Sequence, residues 1–111
     1  MANHKEDLLK GTLDLLILKT VDLEPMHGWG IGERIQAFSD NALQVPTGSL
    51  YPAFQRLLRK GLIVAEWRRT EANRRARYYR LTKAGRKQLR TERENWARAS
   101  MAVNQVLEAS L

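Results

Sequence analysis

The chain reads as a mainly α-helical fold with one small β-hairpin, and three features lead to that reading. Apolar residues return at helical spacing in 8–23, 29–39 and 48–60. Residues 62–82 switch to β-branched and aromatic runs on either side of a polar tip. Helical periodicity then resumes and continues to about residue 109. At 111 residues, 43% hydrophobic and 28% charged, the chain suits one globular body with a modest core.

The first helix, 8–23, rests on Leu9, Leu13, Leu16, Ile17 and Val21, with Leu15 and Leu18 widening its apolar face. Glu24-Pro25-Met26-His27-Gly28 ends it, because proline cannot extend the hydrogen-bond ladder and glycine suits a turn. The second helix, about 29–39, turns Ile31, Ile35 and Phe38 inward, and Ser39-Asp40-Asn41 supplies turn chemistry after it. Thr47-Gly48-Ser49 opens the third helix, 48–60. There Thr47 or Ser49 can cap the free amides, and Pro52 falls near the first turn, where a missing N–H is harmless. Leu50, Phe54, Leu57 and Leu58 form its apolar stripe, and Lys60-Gly61 closes it with a cation and a C-terminal glycine.

Leu62–Arg69 and Arg77–Thr82 then read as the strands of a hairpin whose tip is Thr70 to Arg75. Strand alternation places Tyr79 and Leu81 in the core together with Trp67, and leaves Tyr78 half exposed. Thr82 caps a last helix roughly 40 Å long. The second and third helices, joined by a polar connection, form a helix-turn-helix, and the hairpin after them makes it a winged helix. The expected division is a winged-helix DNA-binding domain over 1–82 and a C-terminal dimerisation helix over 83–111.

Along that last helix Leu89, Trp96 and Val103 recur every seven residues, with Ala99 and Val106 between them and Glu92 interrupting. This is a coiled-coil-like seam. A helix that projects from its domain cannot bury such a stripe alone, whereas a second copy can. Folding back onto its own domain is the alternative. Trp96, midway along, is expected to pack in the seam, or with its symmetry mate to flank a slot for a flat aromatic molecule.

Charge points to the partner. Residues 1–55 hold four basic and seven acidic side chains, and residues 56–111 hold fifteen and five, so a net charge of −3 gives way to +10. Arginine dominates the cations, and its forked guanidinium suits phosphate. A polyanion is the expected partner. On the third helix Gly48, Ser49, Tyr51, Pro52, Gln55, Arg56 and Arg59 face outward or sideways. Ser, Gln and Arg offer base-edge hydrogen bonds, with Gln55 matched to adenine and Arg59 to guanine or phosphate; Tyr51 can meet phosphate or a thymine methyl. At the hairpin tip Arg74 and Arg75 are free to reach a phosphate or an adjacent minor groove.

Other classes find little support. The absence of cysteine excludes disulfides and thiol catalysis, and two histidines leave little for a metal site. The carboxylates of Glu33, Asp40, Glu66 and Glu71 are scattered, so no acid–base pair is expected, and no catalytic residue or cofactor is assigned. Gly28-Trp29-Gly30-Ile31-Gly32 does not follow a strand and so is no phosphate loop; the glycines suit a tight turn and close helix packing. His27 beside them reads as a local hydrogen-bond or surface residue. No apolar run approaches the roughly 20 residues of a membrane span. The polar start, with Glu6 and Asp7, does not read as a signal peptide, so a cytoplasmic location is expected.

Several of these residues together resemble the PadR family of transcriptional regulators. They are Thr47-Gly48-Ser49-Leu50-Tyr51-Pro52, Leu57 to Ile63, Arg77-Tyr78-Tyr79-Arg80-Leu81-Thr82 with Gly85, and His27-Gly28-Trp29-Gly30-Ile31. The likeness covers about residues 8–108, and the single long C-terminal helix resembles the short subfamily. It implies a dimeric winged-helix protein, usually a repressor, that binds operator DNA; some members release DNA on binding phenolic or other aromatic compounds. By the same likeness Ser49, Tyr51 and Pro52 fall on the recognition helix and Arg74, Arg75 and Arg77 on the wing. Trp29 stands where a tyrosine is common, and the wing reads Glu71-Ala72-Asn73-Arg74 where glycines are often found. Two other readings remain beside a DNA-binding homodimer: a winged-helix module that pairs with a protein, and a nonspecific nucleic-acid binder.

Overall fold

The computed structural model describes residues 12–111. Residues 8–11 of the expected first helix, Leu9 among them, lie outside the described residues. In order the elements are α1 (Leu13–Leu23), β1 (Met26–His27), α2 (Gly28–Phe38), α3 (Thr47–Arg59), β2 (Ile63–Arg69), β3 (Arg75–Leu81) and α4 (Lys83–Leu107). The three strands form an antiparallel sheet of order β1-β3-β2. This is a winged helix with a long C-terminal helix. Strand β1 was not expected; its two residues, lodged between Pro25 and the first turn of α2, pair with Tyr79 and Tyr78. Two residues are too few to show any alternation in sequence.

The core lies where α1, α2 and α3 meet the inner face of the sheet. It comprises Leu13, Ile17, Leu18 and Val21 of α1, Ile31 and Ile35 of α2, and Leu50, Ala53, Phe54 and Leu57 of α3. Ile63, Tyr79 and Leu81 cover it from the sheet. Phe54 and Tyr79 stack at its centre, ring centroids 4.5 Å apart. Burial of Tyr79 pushes its phenol above the ordinary value of 10.0, against the lowering effect of Arg77, with Tyr51 adding a raising contribution. Phe38, expected on the inner face of α2, is exposed: it is the last residue of the helix and lies past the edge of the core.

Local chemistry fixes the joints. The His27 imidazole Nδ1 caps α2 by accepting the Gly30 N–H at 3.0 Å, and its ring meets Tyr78 edge-on at 5.4 Å. Helix α3 has no side-chain cap; Pro46 is its N-cap residue, Thr47 is already helical, and Pro52 is the sixth helical residue, one further in than expected. Gly61, at φ 69, turns the chain out of α3 in the left-handed conformation. Thr82 then fastens three segments together. Its N–H donates to the Leu62 carbonyl (3.1 Å), its hydroxyl donates to the Gly61 carbonyl (2.7 Å), and its Oγ1 accepts the Gly85 N–H (3.0 Å). Gly85 permits the approach, since a Cβ there would lie 2.1 Å from the Leu62 carbonyl oxygen.

Candidate nucleic-acid interface

Helix α3 is amphipathic by construction. Leu50, Ala53, Phe54 and Leu57 are buried, with Leu58 partly so, and this holds the opposite face outward. On that face Gly48, Tyr51, Pro52, Gln55 and Arg59 are exposed, while Ser49 is half buried. A Cβ built at Gly48 meets nothing within 4 Å, so the start of the helix is open to a close approach. The helix N-terminus adds a partial positive charge there.

Arg56 lies at the side of this face, its side chain 42% exposed. Its Nη2 lies 2.9 Å from Asp14 Oδ1, so it ties α3 to α1 from beside Gln55 and Arg59. The cause is the helical period: Arg56 follows Ala53 by three residues and adjoins the buried Leu57, which rotates it toward α1.

The hairpin presents its arginines as a wing. Strands β2 and β3 pair from Ile63 with Leu81 to Arg69 with Arg75. The tip closes with the Asn73 N–H on the Thr70 carbonyl (2.9 Å) and the Thr70 N–H on the Arg74 carbonyl (2.7 Å). Asn73 takes the left-handed conformation, φ 60, that a glycine would otherwise supply. Arg74, Arg75 and Arg77 are all exposed. The ion pairs found among the described residues use Arg34 with Glu24, Arg56 with Asp14 and Arg68 with Glu66, so the three wing arginines belong to none of them.

Trp67 corrects a second expectation. It does share the sheet face of Ile63 and Ala65 and stands opposite Arg77, but it is 61% exposed instead of buried. Alternation assigns a face and says nothing of depth, and this end of the hairpin overhangs the helices. The Arg75 guanidinium stacks 4.9 Å above its indole. Thr47 and Tyr51 of α3, Trp67, Arg75 and Arg77 of the wing, and Trp29 of α2 line a single cleft of about 390 Å³. Helix α3 and the wing thus border one surface. Trp29 and Trp67 were missed as candidate residues; an unpaired tryptophan in a sequence looks like core, and only the third dimension shows otherwise.

The long helix divides in two. Leu89, expected in the dimer seam, is only 4% exposed and belongs to the core of its own chain. It follows the Thr82 joint by two turns, and that joint presses the root of α4 against α1. Beyond it Trp96, Ala99, Val103 and Val106 are exposed, and so are Met101 and Leu107. Among the described residues no cluster suited to a metal is present, and no helix is long and apolar enough to cross a membrane.

Comparison with known proteins agrees with this architecture. A transcriptional regulator from Clostridium thermocellum is 28% identical, with 89% of this chain and 96% of that one covered and a TM-score of 0.81. A PadR-like transcriptional regulator from Bacillus cereus is 26% identical over 94% and 99% of the two chains, again with a TM-score of 0.81. An uncharacterised protein of Lysinibacillus sphaericus is 28% identical over 104 residues, 94% of this chain and 95% of its own length. The model of the transcriptional regulator PadR-like family matches residues 17–91. Members of that family are DNA-binding transcriptional regulators and not enzymes, and the chain belongs to the PadR-like family of transcriptional regulators.

Proposed function

We propose that the protein is a repressor that binds palindromic operator DNA as a homodimer. One observation supports this most: Thr47 and Tyr51 of the exposed α3 face and Arg75 and Arg77 of the wing border the same cleft. Gly48, Ser49, Tyr51, Pro52, Gln55 and Arg59 enter the major groove, with Gln55 and Arg59 reading base edges. Arg74, Arg75 and Arg77 hold the flanking backbone. The outer part of α4, with Trp96, Ala99, Val103 and Val106, pairs with the same helix of a second copy; its exposed apolar side chains support that role. The bound dimer excludes RNA polymerase. A flat aromatic ligand between the two Trp96 side chains changes the half-site spacing and releases DNA.

Selection of binding sites from random duplexes tests this reading. The expected product is an inverted repeat with half-sites about 10 base pairs apart, centre to centre. Sedimentation should give a dimer at micromolar concentration. A monomer without an enriched motif defeats the proposal. Enrichment of no sequence over competitor DNA favours nonspecific binding, and indifference to any duplex favours a protein-interaction module. For the effector, titration with planar hydrophobes should quench Trp96 fluorescence, and no quenching by any of them removes that part.

A further inference from the structure

Both faces of the hairpin lay an arginine on an aromatic ring, and they differ in whether the guanidinium edge is occupied. On one face Arg68 lies 5.5 Å from the Tyr78 ring centroid, and its Nη2 also donates to the Glu66 carboxylate. On the other face, which borders the cleft with α3, Arg75 lies 4.9 Å over the Trp67 ring. Arg75 belongs to no ion pair found among the described residues. The arginine side-chain hydrogen bonds found there are those of Arg34, Arg56, Arg68, Arg69 and Arg98. Stacking uses the flat face of a guanidinium, whereas a phosphate is gripped by its N–H edge. Arg75 is therefore held on a ring with its edge unoccupied. The register explains the contact: Trp67 stands opposite Arg77, and Arg75 lies two residues further along β3, a diagonal that long side chains can span. Trp67 itself is exposed although it shares the sheet face of the buried Ile63 and Tyr79, so its ring adds little to the core.

We propose that Trp67 is a positioning residue for the wing's grip on DNA, its indole ordering the Arg75 fork before a duplex arrives. An arginine moving freely in water loses the rotamer freedom of a long side chain when it seizes a phosphate. One already laid on a ring has lost much of that freedom during folding, so more of the phosphate contact appears as affinity. Trp67 acts through Arg75, and it strengthens binding to every sequence alike, because a phosphate carries no base identity. Arg68 cannot serve in the same way, since Glu66 holds its edge. This inference deepens the proposed docking of α3 and the wing and rests on it for its effect on DNA binding, whereas the stack of Arg75 on Trp67 belongs to the free protein.

Two measurements on the full chain test this. In the DNA-free protein the Arg75 Hδ and Hε resonances should be displaced by the ring current of Trp67 and return to ordinary arginine positions in Trp67→Ala. Undisplaced resonances overturn the stack and the proposal with it. A double-mutant cycle then reads affinity for one mixed-sequence duplex across a salt series. Trp67→Ala should weaken binding about three- to fivefold at an unchanged log–log salt slope, because no phosphate contact is removed. Arg75→Ala should weaken it about tenfold and flatten the slope by about one unit. The double variant should match Arg75→Ala to within about twofold. Trp67→Phe should restore most of the loss and Trp67→Leu none of it, since leucine fills space without a π face. Both side chains are exposed, so the variants should fold, which circular dichroism checks. A silent Trp67→Ala, additive effects in the cycle, or equal rescue by leucine would each overturn the positioning role. If the resonances are displaced but Arg75→Ala leaves duplex affinity unchanged, the docking reading has failed and the role of Trp67 in DNA binding falls with it, while the stack stands.

Discussion

Helix α3 and the outer half of α4 are both amphipathic, yet they use their apolar faces differently. Helix α3 buries Leu50, Phe54 and Leu57 within its own chain, and its polar face is left for a partner. The outer half of α4 keeps Trp96, Met101, Val103, Val106 and Leu107 exposed. One stripe therefore builds the fold, and the other is proposed to build the assembly. The difference lies in what each helix is tethered to: α3 is flanked by α1, α2 and the sheet, whereas α4 leaves the compact body beyond Leu89.

Substitutions can break that contrast, beginning with the largest effect. Phe54→Ala should cost about 3–5 kcal/mol of stability, read by urea unfolding, because it removes one half of the central aromatic stack. Val103→Glu combined with Val106→Glu should turn a dimer into a monomer in sedimentation while the unfolding midpoint of the winged-helix body holds. A monomer that unfolds early would mean that α4 also supports the fold. On the exposed face of α3, Gln55→Ala should relax preference at one base pair, about 1–3 kcal/mol of discrimination in a competition assay. Arg74→Ala with Arg75→Ala should instead weaken all duplexes alike and flatten the log–log salt slope by about one unit per lost phosphate contact. Unchanged affinity in both cases would remove the docking model.

The smallest expected effect is on pH dependence. Burial raises the Tyr79 phenol in the folded state, so the folded protein holds that proton more tightly than the unfolded chain does. The associated stability is fully present below the unfolded value near 10 and is lost as pH rises through the higher folded value. Tyr79→Phe should flatten the alkaline limb of a stability profile, and an unchanged limb would assign it to other groups.

Much of this was legible in the sequence because periodicity and punctuation agree. Pro25, the Lys60-Gly61 pair and Thr82 each mark a joint that the structure has. What escaped was depth. Trp67 and Leu89 both fall on the face that spacing assigns, but one overhangs the core and the other is inside it. Arg56 shows a related limit, since an arginine beside a basic surface can be spent on an internal pair with Asp14, forty-two residues away. Strand β1 is stabilised by its neighbour β3 and not by its own two residues.

The Thr82 joint has a mechanical corollary. A single hydroxyl grips the exit of α3 and the entry of α4, and Gly85 leaves no slack between them. Helix α4 therefore works as a lever with a stiff fulcrum. A tilt of its far end should turn α3 with it, since bending at the fulcrum would first have to pull Thr82 off both neighbours.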